Sequence, residues 1–436
     1  MSDAQRAVEA VARESYGRLV AFLSARTRDV AGAEDALGDA LLSALTTWPR
    51  DGVPEKPEAW LLTAARHRLV DAARKARVRE EHASTVRLVL AEAGDMQPPG
   101  DFPDERLKLL FVCAHPALDP AVHTPLMLQT VLGIDAARIA QAFLVSPATM
   151  GQRLVRAKRR IRETGISFEP PSEHELPGRL GAVMEAIYAA FGIGWDEAAG
   201  AESRGRDLAD EAIWLARVLR ELRPDDPEIR GLLALMLHCE ARRPARRDDA
   251  GRYVPLSEQD PARWSLPLLL EAERELSAAA ALVRPGRFQL QAAIQSVHAD
   301  RRLTGRTDWA AIADFYAALL ALAPTLGARI GHAAAVAECG QPRAGERDGA
   351  AAPERDSPTA AERDGPTAAL SLLDDLDVAA VRNHQPWWAL RGHLLERLGR
   401  HAEAAEALDR AIGLAEDDAV RQFLLARRAR LPLADG

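Results

Sequence analysis

Met150, Leu154, Ala157 and Ile161 recur at i, i+4, i+7 and i+11, with mostly polar or charged residues between them. A helix of 3.6 residues per turn gathers such a set on one side, whereas a strand would scatter it over both faces. The same kind of spacing recurs along much of the chain, as in Trp60, Leu61, Ala64, Ala65, Leu69 and Ala72. Alanine and leucine dominate and aromatics make up only 5 %, which favours packed helices over sheets. With 436 residues, two or three all-α domains with sizeable cores are expected.

Proline and glycine set the breaks. Helices over 5–47 end at Trp48-Pro49, and the loop PRDGVPEKP stops them. A second helical pattern runs from Glu58 to about Arg79. Residues 81–104 end in GDMQPPGDFPDE and read as a linker; residues 105–166 form a second small helical unit. SFEPPSEHELPG interrupts the chain again, and residues 171–436 are mostly helical. Within them, Glu346-Arg347-Asp348, Glu354-Arg355-Asp356 and Glu362-Arg363-Asp364 recur every 8 residues. This stretch, near 342–368, has little to bury and is expected to be a disordered insert.

The net charge of −8 argues against nucleic acid only on average. Met1–Gly165 holds 23 basic and 21 acidic residues, net +2; the remainder holds 33 and 43, net −10. The basic residues of the first part also cluster, at Arg66–Arg79 and Arg153–Arg162. Local patches rather than the whole-chain sum attract phosphate.

The second cluster belongs to two short helices meeting at Val145-Ser146-Pro147. Ser146 suits an N-cap and Pro147 a first helical position. Ile139, Ala140, Phe143 and Leu144 give the first helix an apolar face. The second buries Met150, Leu154, Ala157 and Ile161, leaving Thr149, Gln152, Arg153, Arg156 and Arg160 outward. Two blander readings compete, a repeat hairpin and a solvated amphipathic helix. A repeat hairpin would need small residues and a Leu-Gly turn that are poorly placed here. Six basic residues before the first acid, Glu163, disfavour the solvated helix. Polar groups ahead of phosphate-binding arginines are what a recognition helix requires.

VAGAEDALGDALLSALTTWP and PEAWLLTAARHRLVDAARKARVRE resemble region 2 of bacterial RNA polymerase sigma factors of the extracytoplasmic-function type. DERLKLLFVCAHPAL and AQAFLVSPATMGQRLVRAKRRIR resemble their region 4. The resemblance implies a fold of two small helical sigma domains, residues 1–80 and 105–166. It implies that Glu34, Asp35 and Asp39 meet core RNA polymerase, on the β′ clamp helices with the β subunit as a further partner. It implies that Arg66, His67, Arg68, Asp71, Arg74 and Lys75 face the −10 element of promoter DNA. The helix-turn-helix residues Thr149, Gln152, Arg153, Arg156 and Arg160 would then read the −35 element. His67 stands where many relatives place asparagine.

The C-terminal stretch WWALRGHLLERLGRHAEAAEALDRA, from Trp387 to Ala411, resembles a tetratricopeptide repeat, with weaker copies at 212–236 and 311–324. A TPR-like solenoid over 171–436 that regulates the sigma module, by docking on it or by holding a separate protein, is therefore expected. The rival reading is a one-component helix-turn-helix regulator with a TPR-like sensor. It has no need of the region-2 unit.

Catalysis is not expected. The eleven histidines form no H-E-x-x-H, the three cysteines no metal-spaced set, and Gly192-Ile-Gly194 opens no phosphate loop. No cofactor is expected, and His115 reads as a helix-end contact. No signal peptide or membrane span is expected, so the cytoplasm is the anticipated location.

Overall fold

The computed structural model describes residues 3–78, 104–143, 145–196, 202–339 and 360–432. They are mostly helical; among them the only β-type pairing is an isolated bridge between Arg247 and Tyr253. The chain divides into two compact units, Met1–Leu219 and Arg220–Gly436.

The first unit opens with α1 (Asp3–Glu14), α2 (Tyr16–Thr27), α3 (Val30–Asp51) and α4 (Pro57–Val78). Asp29 caps α3 by accepting from Gly32 N at 3.1 Å. Val30, Ala33, Leu37, Ala40 and Ala44 bury one stripe of that helix, and Trp48 meets Trp60 of α4 edge-on at 5.6 Å. The helix does not stop at Pro49 as expected. It carries on to Asp51 because a proline in the last turn removes one donor only, and Gly52 ends it with φ +84°.

Next come α5 (Arg106–Cys113), α6 (Pro120–Thr130), α7 (Ala136–Ala142) and α8 (Pro147–Thr164). Helix α2 lies so close to the end of α6 that a Cβ on Gly17 would stand 1.7 Å from the Val131 carbonyl oxygen. Two further helices complete the unit, α9 (Leu176–Asp196) and α10 (Glu202–Leu222). Arg179 of α9 donates to the Phe111 carbonyl at 3.5 Å. Arg106 of α5 pairs with Glu211 and lies 4.1 Å over the Trp214 ring, both on α10. The proline-rich break at 166–171 therefore does not separate the two compact units. Leu180, Val183, Ile187 and Phe191 give α9 an apolar face, and it covers α5 and α6.

The second unit runs through α11 (Pro227–Ala241), α12 (Leu266–Ala280), α13 (Arg287–Ala299), α14 (Trp309–Leu322) and α15 (Leu326–Cys339). It ends with α16 (Ala360–Asp374), α17 (Gln385–Arg397), α18 (His401–Leu414) and α19 (Asp418–Ala429). Most of the expected insert, 340–359, lies outside the described residues, but 360–368 are helical, contrary to expectation. Ala369, Leu370 and Leu373 bury against Ala333 and Ala337, and Gly365 approaches the Ala337 carbonyl too closely for a side chain. The Ala-rich neighbour on α15 makes room for that last copy.

The α17–α18 pair is a close antiparallel hairpin. Gly399 (φ +73°) turns it, and Ala404, Ala407, Leu408 and Ala411 are buried. A Cβ on Gly392 would stand 2.8 Å from Leu408 Cγ. Gly392→Leu is accordingly expected to lower stability by about 2 kcal/mol through overpacking. An unchanged denaturation midpoint would show that the crossing can relax. Tyr253 meets Phe423 of α19 edge-on at 5.5 Å, and Arg247 pairs with Asp417 at 2.7 Å. The loop after α11 thus reaches the last helix of the same unit.

Candidate nucleic-acid interface

Helix α8 is built by local chemistry. Ser146 accepts from Thr149 N at 3.2 Å and Pro147 takes the first turn; Gly165 closes the helix with φ +61°. Asp135 caps α7 through Arg138 N at 2.9 Å, and Val145 N donates to Ala140 at 3.0 Å across the four-residue turn. Ile139 and Ala140 of α7 are buried, as are Met150, Leu154, Ala157 and Ile161 of α8. Phe143 is exposed rather than part of that face, and Leu144 lies outside the described residues.

Thr149, Gln152, Arg153, Arg156 and Arg160 are all exposed. They therefore form one continuous polar stripe, hydroxyl and amide first, guanidinium groups behind. Arg156 Nε donates to the Gln152 carbonyl at 3.2 Å, and Arg159 pairs with Glu163 at 3.4 Å. A positive stripe beside a helix N-terminus can hold a phosphate backbone and offer polar groups to base edges.

On α4, His67, Arg68, Asp71 and Arg74 are exposed and Arg66 is half-buried. Arg74 lies 4.0 Å from Asp71, an exposed pair of little energetic weight, and Arg68 reaches Ser43 Oγ at 3.5 Å. Lys75 is in the helix, but its side chain lies outside the described residues, as does Arg79. His115 Nδ1 accepts from Ala117 N at 3.1 Å, so it closes the end of α5 as expected.

The three acids of α3 do not share one environment. Asp35 and Asp39 are exposed, whereas the Glu34 carboxylate is only 14 % exposed and receives Lys158 Nζ of α8 at 2.5 Å. Lys158 is buried too, so it is not part of the outward basic stripe. A second pair, Arg162 with Asp29 at 3.6 Å, joins the same two helices. Burial pushes the Glu34 carboxyl above the ordinary range, and Lys158 pulls it back only in part. The tyrosine beside this contact, Tyr16, has its phenol raised by burial and by Glu34 and Asp35. Sequence reasoning missed the pair, although Lys158 stands four residues after Leu154 and three before Ile161, on the inward side.

Among the described residues no cluster of His, Cys, Asp and Glu could hold a metal ion, and no helix is long and apolar enough to cross a membrane.

Residues 11–79 match Sigma-70 region 2, and residues 179–280 match a family of unknown function, DUF6596. An uncharacterized protein of Rhizobium meliloti (strain 1021) is 38% identical over 388 residues, which is 88% of this chain and 86% of its own length. No solved structure matches the chain.

Proposed function

We propose that this chain, which belongs to the same family as the Rhizobium meliloti protein and carries a Sigma-70 region 2, is a sigma factor of the extracytoplasmic-function type with a regulatory TPR-like tail. The Sigma-70 region 2 supports a role in transcription initiation with core RNA polymerase and promoter DNA as partners. That match is the observation carrying the reading, because a one-component regulator has no use for such a domain.

In this reading α4 faces the −10 element through His67, Arg68, Asp71 and Arg74, with Arg66 and Lys75 alongside. Helix α8 reads the −35 element through Thr149, Gln152, Arg153, Arg156 and Arg160. Core polymerase is met by the exposed Asp35 and Asp39. Glu34 joins them only when α3 and α8 part. Parting also suits a protein that must touch two promoter elements separated by at least a helical turn, about 34 Å of duplex.

The experiment that tests the polymerase half is a pull-down of core enzyme with the Asp35→Lys/Asp39→Lys variant. Binding should fall at least tenfold with an unchanged circular dichroism spectrum, because both side chains are exposed. Undiminished binding would reduce these acids to a solvated helix face.

The DNA half is tested by two arginines on the same stripe. Arg153→Ala, near the helix N-terminus, is expected to weaken −35 binding by about 2 kcal/mol and relax its sequence preference. Arg160→Ala, two turns on, should weaken binding to every sequence alike and flatten the salt dependence. If both variants bind like the parent across a promoter series, α8 is not the reading helix.

The C-terminal unit supplies regulation in this reading. Its helices pack neighbour upon neighbour, so a change of packing at one of them acts first on the next.

A further inference from the structure

The half-buried arginines of the C-terminal unit nearly all have a visible occupation. Arg230 pairs with Glu275 at 2.5 Å, Arg247 with Asp417 at 2.7 Å and Arg397 with Glu338 at 2.6 Å. Arg302 donates to the Trp264 carbonyl at 2.9 Å and ties down the loop beneath it. Arg242 differs. It follows the last turn of α11 and is only 7 % exposed. Its Nη2 donates to Gln295 Oε1 of α13 and lies 3.8 Å from Cys239 Sγ. Its Nη1 is buried and has no hydrogen-bond partner.

The ionisable groups acting on Arg242 are Cys239 and Tyr316, and burial raises both above their ordinary values, so both are neutral at pH 7. The other groups coupled to it are Arg301, a cation, and His238 and His298, whose imidazoles burial keeps neutral at pH 7. A buried guanidinium beside a second cation and no carboxylate is unfavourable to keep. Its place at a helix C-terminus offsets a minor part of that cost, since the dipole interaction is weak compared with the desolvation of a charge. Around it, Cys239, Gln295, His298 and Tyr316 are partly exposed while the guanidinium is not. Helices α11, α13 and α14 thus surround Arg242 with hydrogen-bonding groups.

We infer that Arg242 anchors a binding site for a small oxyanion, a carboxylate or a phosphate, with Gln295, His298 and Tyr316 as neighbouring hydrogen-bonding groups. A guanidinium offers paired donors that match the oxygens of either group, and an anion supplies the charge that the protein itself does not. The site stands apart from promoter and polymerase binding and makes the C-terminal unit a receiver of a small charged molecule.

The test is thermal denaturation of the full-length protein in inorganic phosphate, in succinate, and in chloride at equal ionic strength. Phosphate or succinate should raise the melting temperature by several degrees and saturate in the millimolar range, with chloride inert; whichever saturates identifies the ligand class. Arg242→Met should abolish the rise without lowering the ligand-free melting temperature, because it removes an uncompensated buried charge. Gln295→Glu, which places a carboxylate against the guanidinium, should raise the ligand-free melting temperature and also abolish the response. Arg302→Ala, at a structural arginine, should lower melting and keep the response. The inference is overturned if neither anion stabilises the parent, if Arg242→Met still responds, or if Arg242→Met alone melts several degrees lower.

Discussion

Lowering the pH from 7 to 5.5 is expected to remove about 3 kcal/mol of stability from the C-terminal unit, after allowing for the partial exposure of two of the three histidines responsible. His238, His298 and His393 all have their imidazoles depressed from 6.5 to about 3, with burial the first cause in each. Arg242 adds to the effect on His238, Arg242 and Arg301 on His298, and Arg427 and Arg397 on His393. Glu273 Oε1 approaches His238 Nε2 to 3.3 Å, but neither ring nitrogen makes a hydrogen bond, so burial prevails. The sign follows from linkage. Well above pH 6.5 these rings are neutral in both states and nothing is lost. Below it the unfolded chain takes up protons that the folded unit refuses, so stability falls as the pH falls, by about 1 kcal/mol per histidine across this interval. Urea denaturation at the two pH values, followed by hydrogen exchange in α13 and α17, measures it. His298→Gln should remove about a third of the slope. A stability independent of pH over this range would mean that the rings are reached by water in the folded protein.

Lys158→Met is expected to destabilise the N-terminal unit by about 3 kcal/mol, because removing one partner of a buried ion pair strands the other. The pair is nearly dry, with 10 % and 14 % of the Lys158 and Glu34 side chains exposed. The exposed pairs Arg74–Asp71 and Arg159–Glu163 should, by contrast, contribute next to nothing when cut. The double variant Glu34→Leu/Lys158→Met should recover most of the loss, since apolar side chains of similar volume replace a buried pair at little cost. A double-mutant cycle from chemical denaturation gives the coupling directly. Additive losses would mean that α3 and α8 are held by packing alone and that the ion pair is incidental.

What the sequence could reveal was local. The cap at Ser146, the proline at 147 and the buried set Met150, Leu154, Ala157 and Ile161 all follow from residues within one helical pair. The Trp387–Ala411 hairpin was legible for the same reason, since Gly392, Gly399 and Ala404 define a close crossing by themselves. Partners far along the chain were not legible. Glu34 and Lys158 are 124 residues apart, and each taken alone reads as a charge on a helix face. Nor does the spacing of Leu180, Val183, Ile187 and Phe191 say that α9 covers α5 and α6. The helical last copy of the eight-residue repeat depended on small residues of α15 that a compositional reading does not weigh.

The proposed role is that of an initiation factor rather than a DNA-binding regulator. Its most direct test is transcription in vitro with core RNA polymerase, the full-length protein and a template library, with start sites mapped. Initiation from a defined set of promoters is expected, lost with Asp35→Lys/Asp39→Lys and redistributed among promoters with Arg153→Ala. Binding of the protein to specific DNA without any initiation by core enzyme would contradict it, and would favour a helix-turn-helix regulator that acts without joining the polymerase.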